Sequence, residues 1–323
     1  MIKTDFSRVE RLVLVYPLNI REAGYDYRVL VPFYDQLIVL VPEEIRITVF
    51  VKSEEIGQRI KDLRENLDYV VLKGHSTIWL RDTAGFNCGD VIVKPIFKPE
   101  YYKGAWGQAD KIDRNMQVVG DVLSKRLERL RLVWDCGNLV TNGKIGFITK
   151  RLLKDNPSFS PDEVADMIRR HLGIEPVFLP EPHKDPLAHA DGYVAFVKEN
   201  TALVSYYPDH WDENDRKYVA DISQKLESHD IKVITIYDNP EDKYYYGTAK
   251  SGGIPSAKGI YVNFLQFNDS FIVPEYSFGL SGNPLDYNSE NRKVLEQYGN
   301  VIPINCDRLA EFGGVLHCIS FTD

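Results

Sequence analysis

Four short strings, far apart in the chain, carry the residues with the most chemistry to offer. They are Trp79-Leu80-Arg81-Asp82, Asp135-Cys136-Gly137-Asn138, His189-Ala190-Asp191-Gly192 and Gly313-Gly314-Val315-Leu316-His317-Cys318. Together they supply a thiol, an imidazole and several carboxylates. A thiolate is a strong nucleophile, but a free cysteine with a pKa of about 8.5 is mostly protonated at neutral pH. A neighbouring imidazolium, or a cationic substrate, favours the thiolate. Carboxylates pair with planar guanidinium groups through two parallel hydrogen bonds, a fit that suits them better than ammonium ions. The set therefore predicts attack by Cys318 on the carbon of a guanidinium group. Taken singly, each residue has a plainer reading. A lone cysteine is most often a small buried hydrophobe, and a lone histidine a hydrogen-bonded core residue.

The four strings become a pattern through the elements around them. Apolar, β-branched runs alternate with charged stretches that carry apolar residues every three or four positions, the signatures of strands and helices. One unit reads as strands over 77–82 and 91–97, a helix over about 108–128 and a strand over 130–134. The next has strands over 136–140 and 144–149, a helix over about 160–172 and a strand over 176–180. Ser160, Pro161 and Glu163 mark that helix's start, and Gly173 its stop. A third unit runs 192–197, 201–207, helix 212–227 and 232–237; a fourth runs 261–267, 270–276, helix 289–298 and 301–305. The segment 315–321 and the segments 11–17, helix 26–40 and 46–51 complete a fifth unit across the termini. In each unit the polar residues sit at the first strand, with Asn263 in the fourth. Five such units predict a closed circular array, which leaves no terminal unit with an exposed apolar face. The 323 residues are thus expected to form one domain, 1–323, where length alone suggests about two.

On a strand, His189 and Asp191 point to the same side, whereas Arg81 points away from the side Asp82 faces. Arg81 is accordingly expected to be structural. Glu181, His183 and Asp185 invite a metal reading, but Pro182 and Pro186 break any regular ligand spacing, and the stretch reads as a polar turn. No metal and no cofactor is expected. The Gly-rich, aromatic stretch 238–260 reads as a functional loop over a site, with Tyr244, Tyr245 and Tyr246 as candidate ring faces for a cation and Lys250 and Lys258 as candidate clamps for a carboxylate.

Composition narrows the partners. With 39 Lys and Arg against 47 Asp and Glu, the net charge of -8 disfavours nucleic acid and anionic membrane and suits a small cationic ligand. A hydrophobic share of 44% with 27% charged residues excludes disorder. No segment approaches the roughly 18 consecutive apolar residues of a spanning helix. Cys88, Cys136, Cys306 and Cys318 show no C-x-x-C spacing, so reduced thiols and a cytoplasmic location are expected. A homo-oligomer is left open.

The strings W-L-R-D (79–82), D-C-G-N (135–138), H-A-D-G (189–192), A-K-G-I-Y-V-N-F (257–264), I-V-P (272–274) and G-G-V-L-H-C-I-S (313–320) resemble the guanidino-group-modifying, or pentein, superfamily. Within it the chain is most similar to agmatine deiminases and bacterial peptidyl-arginine deiminase-like proteins. The resemblance covers most of the chain in the same order. It implies an α/β fold, a five-bladed pseudo-symmetric propeller, and a hydrolase that converts a guanidino group to a ureido group plus ammonia. By the same resemblance Cys318 is the nucleophile that forms an amidino-thioether, and His189 is general acid and base. Asp82 and Asp191 grip the guanidinium, and Asp135 orients His189. Trp79 and Asn138 join the substrate-binding set, with Asn138, Asn263 and Gly314 expected in supporting positions. Asp135 stands where the family usually has Glu, and Cys136 where Gly usually follows it. Thr83-Ala84-Gly85 replaces the usual continuation of the first string. An amidinotransferase would share the same thiolate intermediate and pass the amidino group to an amine. A non-catalytic binding protein on the same fold is the alternative of a different class.

Overall fold

The computed structural model describes residues 1–22, 25–183, 185–241, 243–246, 253–277 and 286–323. It is an α/β structure in which one sheet pattern recurs five times. Phe86–Asn87, Val91–Ile96 and Arg126–Val133 form one sheet, and Val140–Thr141, Ile145–Thr149 and Glu175–Leu179 the next. Val194–Lys198, Thr201–Tyr206 and Lys232–Tyr237 form a third, and Leu265–Phe267, Ser270–Glu275 and Asn300–Asn305 a fourth. The fifth orders Ser320–Thr322, Arg11–Val15, Arg46–Val51 and Leu67–Val71. In each sheet the first two strands are antiparallel and the next pair is parallel. A parallel pair needs a crossover, and each crossover here is helical. The C-terminal strand pairs with the N-terminal one, Leu12 opposite Thr322 and Leu14 opposite Ser320, so the fifth sheet joins the two ends of the chain.

The crossover helix Pro161–Leu172 illustrates how sequence sets an element. Ser160 and Glu163 form a reciprocal capping box, Pro161 occupies the first turn, and Gly173 ends the helix in the left-handed region at φ 71°. Asp162 and Glu163 lie at its start and Arg169, Arg170 and His171 at its end, matching the helix dipole. Val164, Ile168 and Leu172, four residues apart, form the buried stripe.

Several expected elements are shorter or different. The strand predicted over 77–82 is a helical turn, Leu80–Thr83, because Thr83 Oγ1 donates to the Trp79 carbonyl and the Arg81 amide donates to the Cys318 carbonyl. The segment 136–140 is a turn closed by the Asn138 amide on the Asp135 carbonyl, with strand only at Val140–Thr141. His189 precedes a 3-10 turn, Ala190–Gly192, and lies on no strand. In 315–321 only the last residues pair, and 261–267 is strand only from Leu265. The helix expected over 108–128 is two, Trp106–Asn115 and Val118–Val122. Ser124, at φ 55°, then turns the chain into its strand. A helix, Glu54–Lys61, and the strand Leu67–Val71 were not anticipated. The apolar residues in each misread run are buried, as strand residues would be: Ile78, Leu80, Val262, Val315 and Leu316 are all below 2% exposed. Burial set the apolar pattern, and backbone hydrogen bonding set the turn.

Candidate active site

Each unit delivers its chemical residues in a turn at the beginning of the sheet. His189 is fixed from both sides. The preceding Ala188 adopts the left-handed region at φ 54°, held there by Thr149 Oγ1, which donates to its carbonyl at 2.6 Å. Such a conformation costs about 1 kcal/mol and persists where surrounding structure enforces it. The imidazole Nε2 lies 3.1 Å from Asp135 Oδ2, and Nδ1 lies 3.5 Å from Asp82 Oδ1. Tyr101 Oη also donates to Asp135 Oδ2, at 2.7 Å. The shorter Asp135 thus shares one carboxylate oxygen between a phenol and the imidazole.

Gly137 shows how closely the three groups converge. A Cβ there would sit 2.7 Å from Asp82 Oδ1, 2.9 Å from His189 Nδ1 and 3.3 Å from Asp191 Oδ2. Only a residue without a side chain leaves that space to the functional groups. Asp191 is held through its backbone, its amide donating to the Gly137 carbonyl and its carbonyl accepting from Asn263 Nδ2 at 3.2 Å. Asn263 Oδ1 accepts from the His317 amide at 3.0 Å and lies 3.5 Å from Cys318 Sγ. Three units are tied together by that one asparagine.

Cys318 and His189 stand at the junction of two cavities. The narrower, about 110 Å³, continues past Asp82 into an aromatic chamber of Tyr25, Tyr27, Trp79, Tyr101 and Phe312, with Glu22 in its wall. The wider, about 350 Å³, continues past Asp191 and Asn263 to Asp185, Asp215, Glu241, Tyr207, Trp211 and Tyr244. Trp79 presents its ring, while its Nε1 donates to Tyr27 Oη, which donates to Glu22 Oε2. Gly314 packs against the Trp79 ring, where a Cβ would come within 2.5 Å. Asn138 is set apart. Its amide bonds the backbone of Thr149 in both directions, so it holds the turn rather than lining either cavity, against its expected place among substrate-binding residues.

The electrostatics follow from gathering acids in a buried space. Burial, with Asp135 and Asp191 nearby, pushes Asp82 up to about 7 despite His189. Burial works against a charged His189, but Asp82, Asp135 and Asp191 outweigh it and raise the imidazole to about 10. Burial first, then Asp191 and Asp82, pushes the Cys318 thiol well above its ordinary range. Asp82 Oδ1 is buried without a hydrogen-bond partner among the described residues. Its only close cation, His189 Nδ1, is in ion-pair reach but off hydrogen-bond alignment among the described residues, and a cation with well-aimed N–H donors would satisfy it. The site therefore gathers a thiol, an imidazolium and carboxyl groups whose charge a cation would complement.

The remaining expectations sort clearly. Cys88 is raised to about 11 and Cys136 to about 12 by burial, and neither lines the two cavities that meet at Cys318. Cys306 is buried and likewise raised. Arg81 points away from the cavities, as expected, although on a helical turn, and pairs with Asp5 at 3.4 Å. Lys258 is paired with Asp307 at 2.9 Å, and Lys250 lies outside the described residues. The tyrosine run divides: Tyr244 lines the wider cavity, Tyr245 lies under Lys243, and Tyr246 stacks on Phe312 with centroids 4.5 Å apart. Glu181 pairs with Lys154 at 2.8 Å, and Asp185 lines the wider cavity. Among the described residues no group of three His, Cys, Asp or Glu could hold a metal ion, and no helix is long and apolar enough to cross a membrane. Glu22, Tyr27, Tyr101, Phe312 and His317 were not singled out from sequence. Only His317 had a signal, its place beside Cys318.

Residues 1–322 match the family model described as Porphyromonas-type peptidyl-arginine deiminase. No curated protein matches the chain in sequence. Among solved structures, an agmatine deiminase of C. jejuni, a Cys-to-Ser variant with substrate bound, is similar at TM-score 0.80 and 16% identity, covering 100% of this chain and 96% of that one. An agmatine deiminase of Enterococcus faecalis gives 0.77 and 18%, covering 100% and 95%. The DDAH of Pseudomonas aeruginosa, a Cys-to-Ser variant complexed with citrulline, gives 0.59 and 12%, covering 98% and 100%. At these identities the structures speak for the shared fold.

Proposed function

Because the chain belongs to the Porphyromonas-type peptidyl-arginine deiminase family, we propose that it hydrolyses a guanidino substrate to a ureido product and ammonia, with Cys318 as the nucleophile. One observation carries this reading. Cys318 and His189 line both cavities at their junction, with Asp82 lining one and Asp191 the other. A guanidinium laid across that junction meets a carboxylate on either side and the sulfur at its carbon. Its charge offsets the two aspartates that oppose ionisation of Cys318, so the thiolate forms once substrate is bound, its proton passing to solvent.

The thiolate adds to the guanidinium carbon, forming a C–S bond and a neutral tetrahedral centre. The His189 imidazolium gives its proton to the departing nitrogen, the C–N bond breaks, and ammonia leaves behind a cationic amidino-thioether. His189, now neutral, takes a proton from water as the hydroxide adds to that carbon. The C–S bond then breaks, returning the thiolate and releasing the ureido product, with the last hydroxyl proton going to ammonia or solvent. Asp135 steadies the imidazole throughout. Trp79 and the other rings of the narrow cavity offer faces for a cation or an apolar stem.

The same reading takes residues 1–323 as one catalytic domain and the five sheets as blades about a pseudo-fivefold axis. Its support is that the first-strand turns of successive units, at 82, 135–138, 189–191, 263 and 317–318, meet at one place. It also takes the enzyme to work in a reducing compartment, the cytoplasm, since all four cysteines are free.

The test is intact-protein mass spectrometry after exposure to a panel of guanidines, with ammonia and ureido product measured in parallel. An amidino adduct on Cys318, absent from Cys318→Ala, with ammonia released in the absence of any added amine, is the expected result. Product formation that requires an amine would make the protein an amidinotransferase instead. An adduct on Cys88, Cys136 or Cys306 would overturn the assignment of the nucleophile.

A further inference from the structure

His317 is spent on neither nucleophilic attack nor proton transfer, yet it is buried at 7% exposure beside both. Its Nδ1 lies 2.7 Å from Asp191 Oδ2. Its Nε2 lies 3.2 Å from Asp5 Oδ1, in ion-pair reach though off hydrogen-bond alignment. Asp5 in turn is 3.4 Å from Arg81 Nη2. Two flanking carboxylates favour the imidazolium, with an N–H on each nitrogen, so Nδ1 donates to Asp191 while the charge on Nε2 faces Asp5. Burial and Arg81 act against that charge, while Asp5 and Asp191 outweigh them and raise His317. Burial alone would raise Asp5, but His317 and Arg81 hold it well below the usual carboxylate range.

The geometry continues into the site. Among the described residues Asp191 Oδ1 takes no hydrogen bond, so the contact from His317 fixes one oxygen and leaves the other for a ligand. The backbone of the same residue is bound by Asn263 and Gly137. Asp5 belongs to the segment before the first strand and lines, with Arg81, a cleft that does not include Cys318.

We propose that His317, clamped between Asp5 and Asp191, is a positioning residue that aims the Asp191 carboxylate at the guanidinium, and that Asp5 of the N-terminal segment is thereby part of the active site. Arg81 anchors the far end of the chain of charges. The proposal rests on the deiminase reading only in giving Asp191 a cation to bind.

The test compares two electrophiles of the same size, cationic 2-chloroacetamidine and neutral 2-chloroacetamide, on the full chain. Each forms a C–S bond at Cys318 as its C–Cl bond breaks, the thiol proton going to buffer, and their rate ratio reports cation binding without turnover. His317→Asn should lower that ratio about tenfold or more, the scale of a lost charge-assisted hydrogen bond, and Asp5→Asn, which removes the charge facing Nε2, should lower it severalfold in the same direction. Asp5→Glu should restore most of it, and Asp5→Asn combined with His317→Asn should be no worse than His317→Asn alone. Thermal melts on every variant guard against unfolding. Both rates falling together, with the ratio intact in folded Asp5→Asn, would make the clamp merely structural and overturn the proposal. The expected ratios with no ureido product from any guanidine would support the clamp and sink the deiminase reading.

Discussion

At the scale of single residues, the candidate site gathers acids where water is scarce. Asp82 and Asp191 are both at least 90% buried, and the cost of holding them there falls when a cation arrives. This makes the affinity for a guanidinium depend on pH in a defined direction. Asp82 is raised to about 7, so as pH falls through that value it takes up a proton and loses its charge. Guanidinium binding, measured by calorimetry or by competition with alkylation of Cys318, should therefore weaken as pH falls below about 7. A single proton taken up gives up to about a tenfold loss per pH unit. Asp82→Asn should bind weakly at every pH and lack that dependence. Affinity that stays level from pH 8 to 5 would mean that Asp82 does not hold the cation. The motifs carrying Cys318, His189, Asp82, Asp135 and Asp191 were all legible in sequence. Tyr101, which shares the Asp135 oxygen with His189, was not, since nothing about a lone tyrosine in sequence announces its partner.

At the scale of elements, turns rather than strands place these side chains. Period-two alternation suggested that His189 and Asp191 share a face, and they do converge. They converge through a 3-10 turn and a left-handed Ala188, not through a strand. Apolar periodicity reports burial, and the first positions of each unit are buried whether the backbone is extended or turned. The crossover helices were better specified because their ends carry local signals such as Ser160, Pro161, Glu163 and Gly173. These differences can be tested side by side. In Gly137→Ala the new methyl must displace Asp82 or His189, and misplacement of reacting groups by about 1 Å costs roughly 10²-fold in rate. We expect kcat/KM to fall by about that factor while the melting temperature changes little. Ser160→Ala should do the reverse, lowering stability by about 1 kcal/mol in denaturant melts with kinetics unchanged. Wild-type kinetics in Gly137→Ala would contradict the packing described for the turn.

At the scale of the whole molecule, the C-terminal strand pairs with the N-terminal one, and the fold buries a set of acidic side chains. The buried acids then set how stability varies with pH. Glu22 is raised to about 8 by burial, against hydrogen bonds from Thr77 and Tyr27, and Asp82 and Asp238 are each raised to about 7, chiefly by burial. A group whose folded pKa exceeds its unfolded value contributes stability that is complete below the unfolded pKa and is lost as pH rises through the folded one. For Glu22 that window runs from 4.5 to about 8. His189 acts in the same direction, its contribution disappearing between 6.5 and about 10. Asp113 and Asp307, lowered by their cationic partners and hydrogen bonds against the effect of burial, act oppositely and weaken the fold only as pH falls below the ordinary carboxylate range. The melting temperature should therefore decline from about pH 5 to pH 9, since each such group gives up as much as about 1.4 kcal/mol per pH unit within its window. Glu22→Gln removes one of them. Relative to wild type the variant should gain stability steadily between about pH 5 and pH 8 and hold a constant advantage above that, a matter of several degrees by calorimetry. An offset between the two melting curves that does not change with pH would show that Glu22 is ionised as readily in the folded chain as in the unfolded one, and that the aromatic chamber around it does not exclude water.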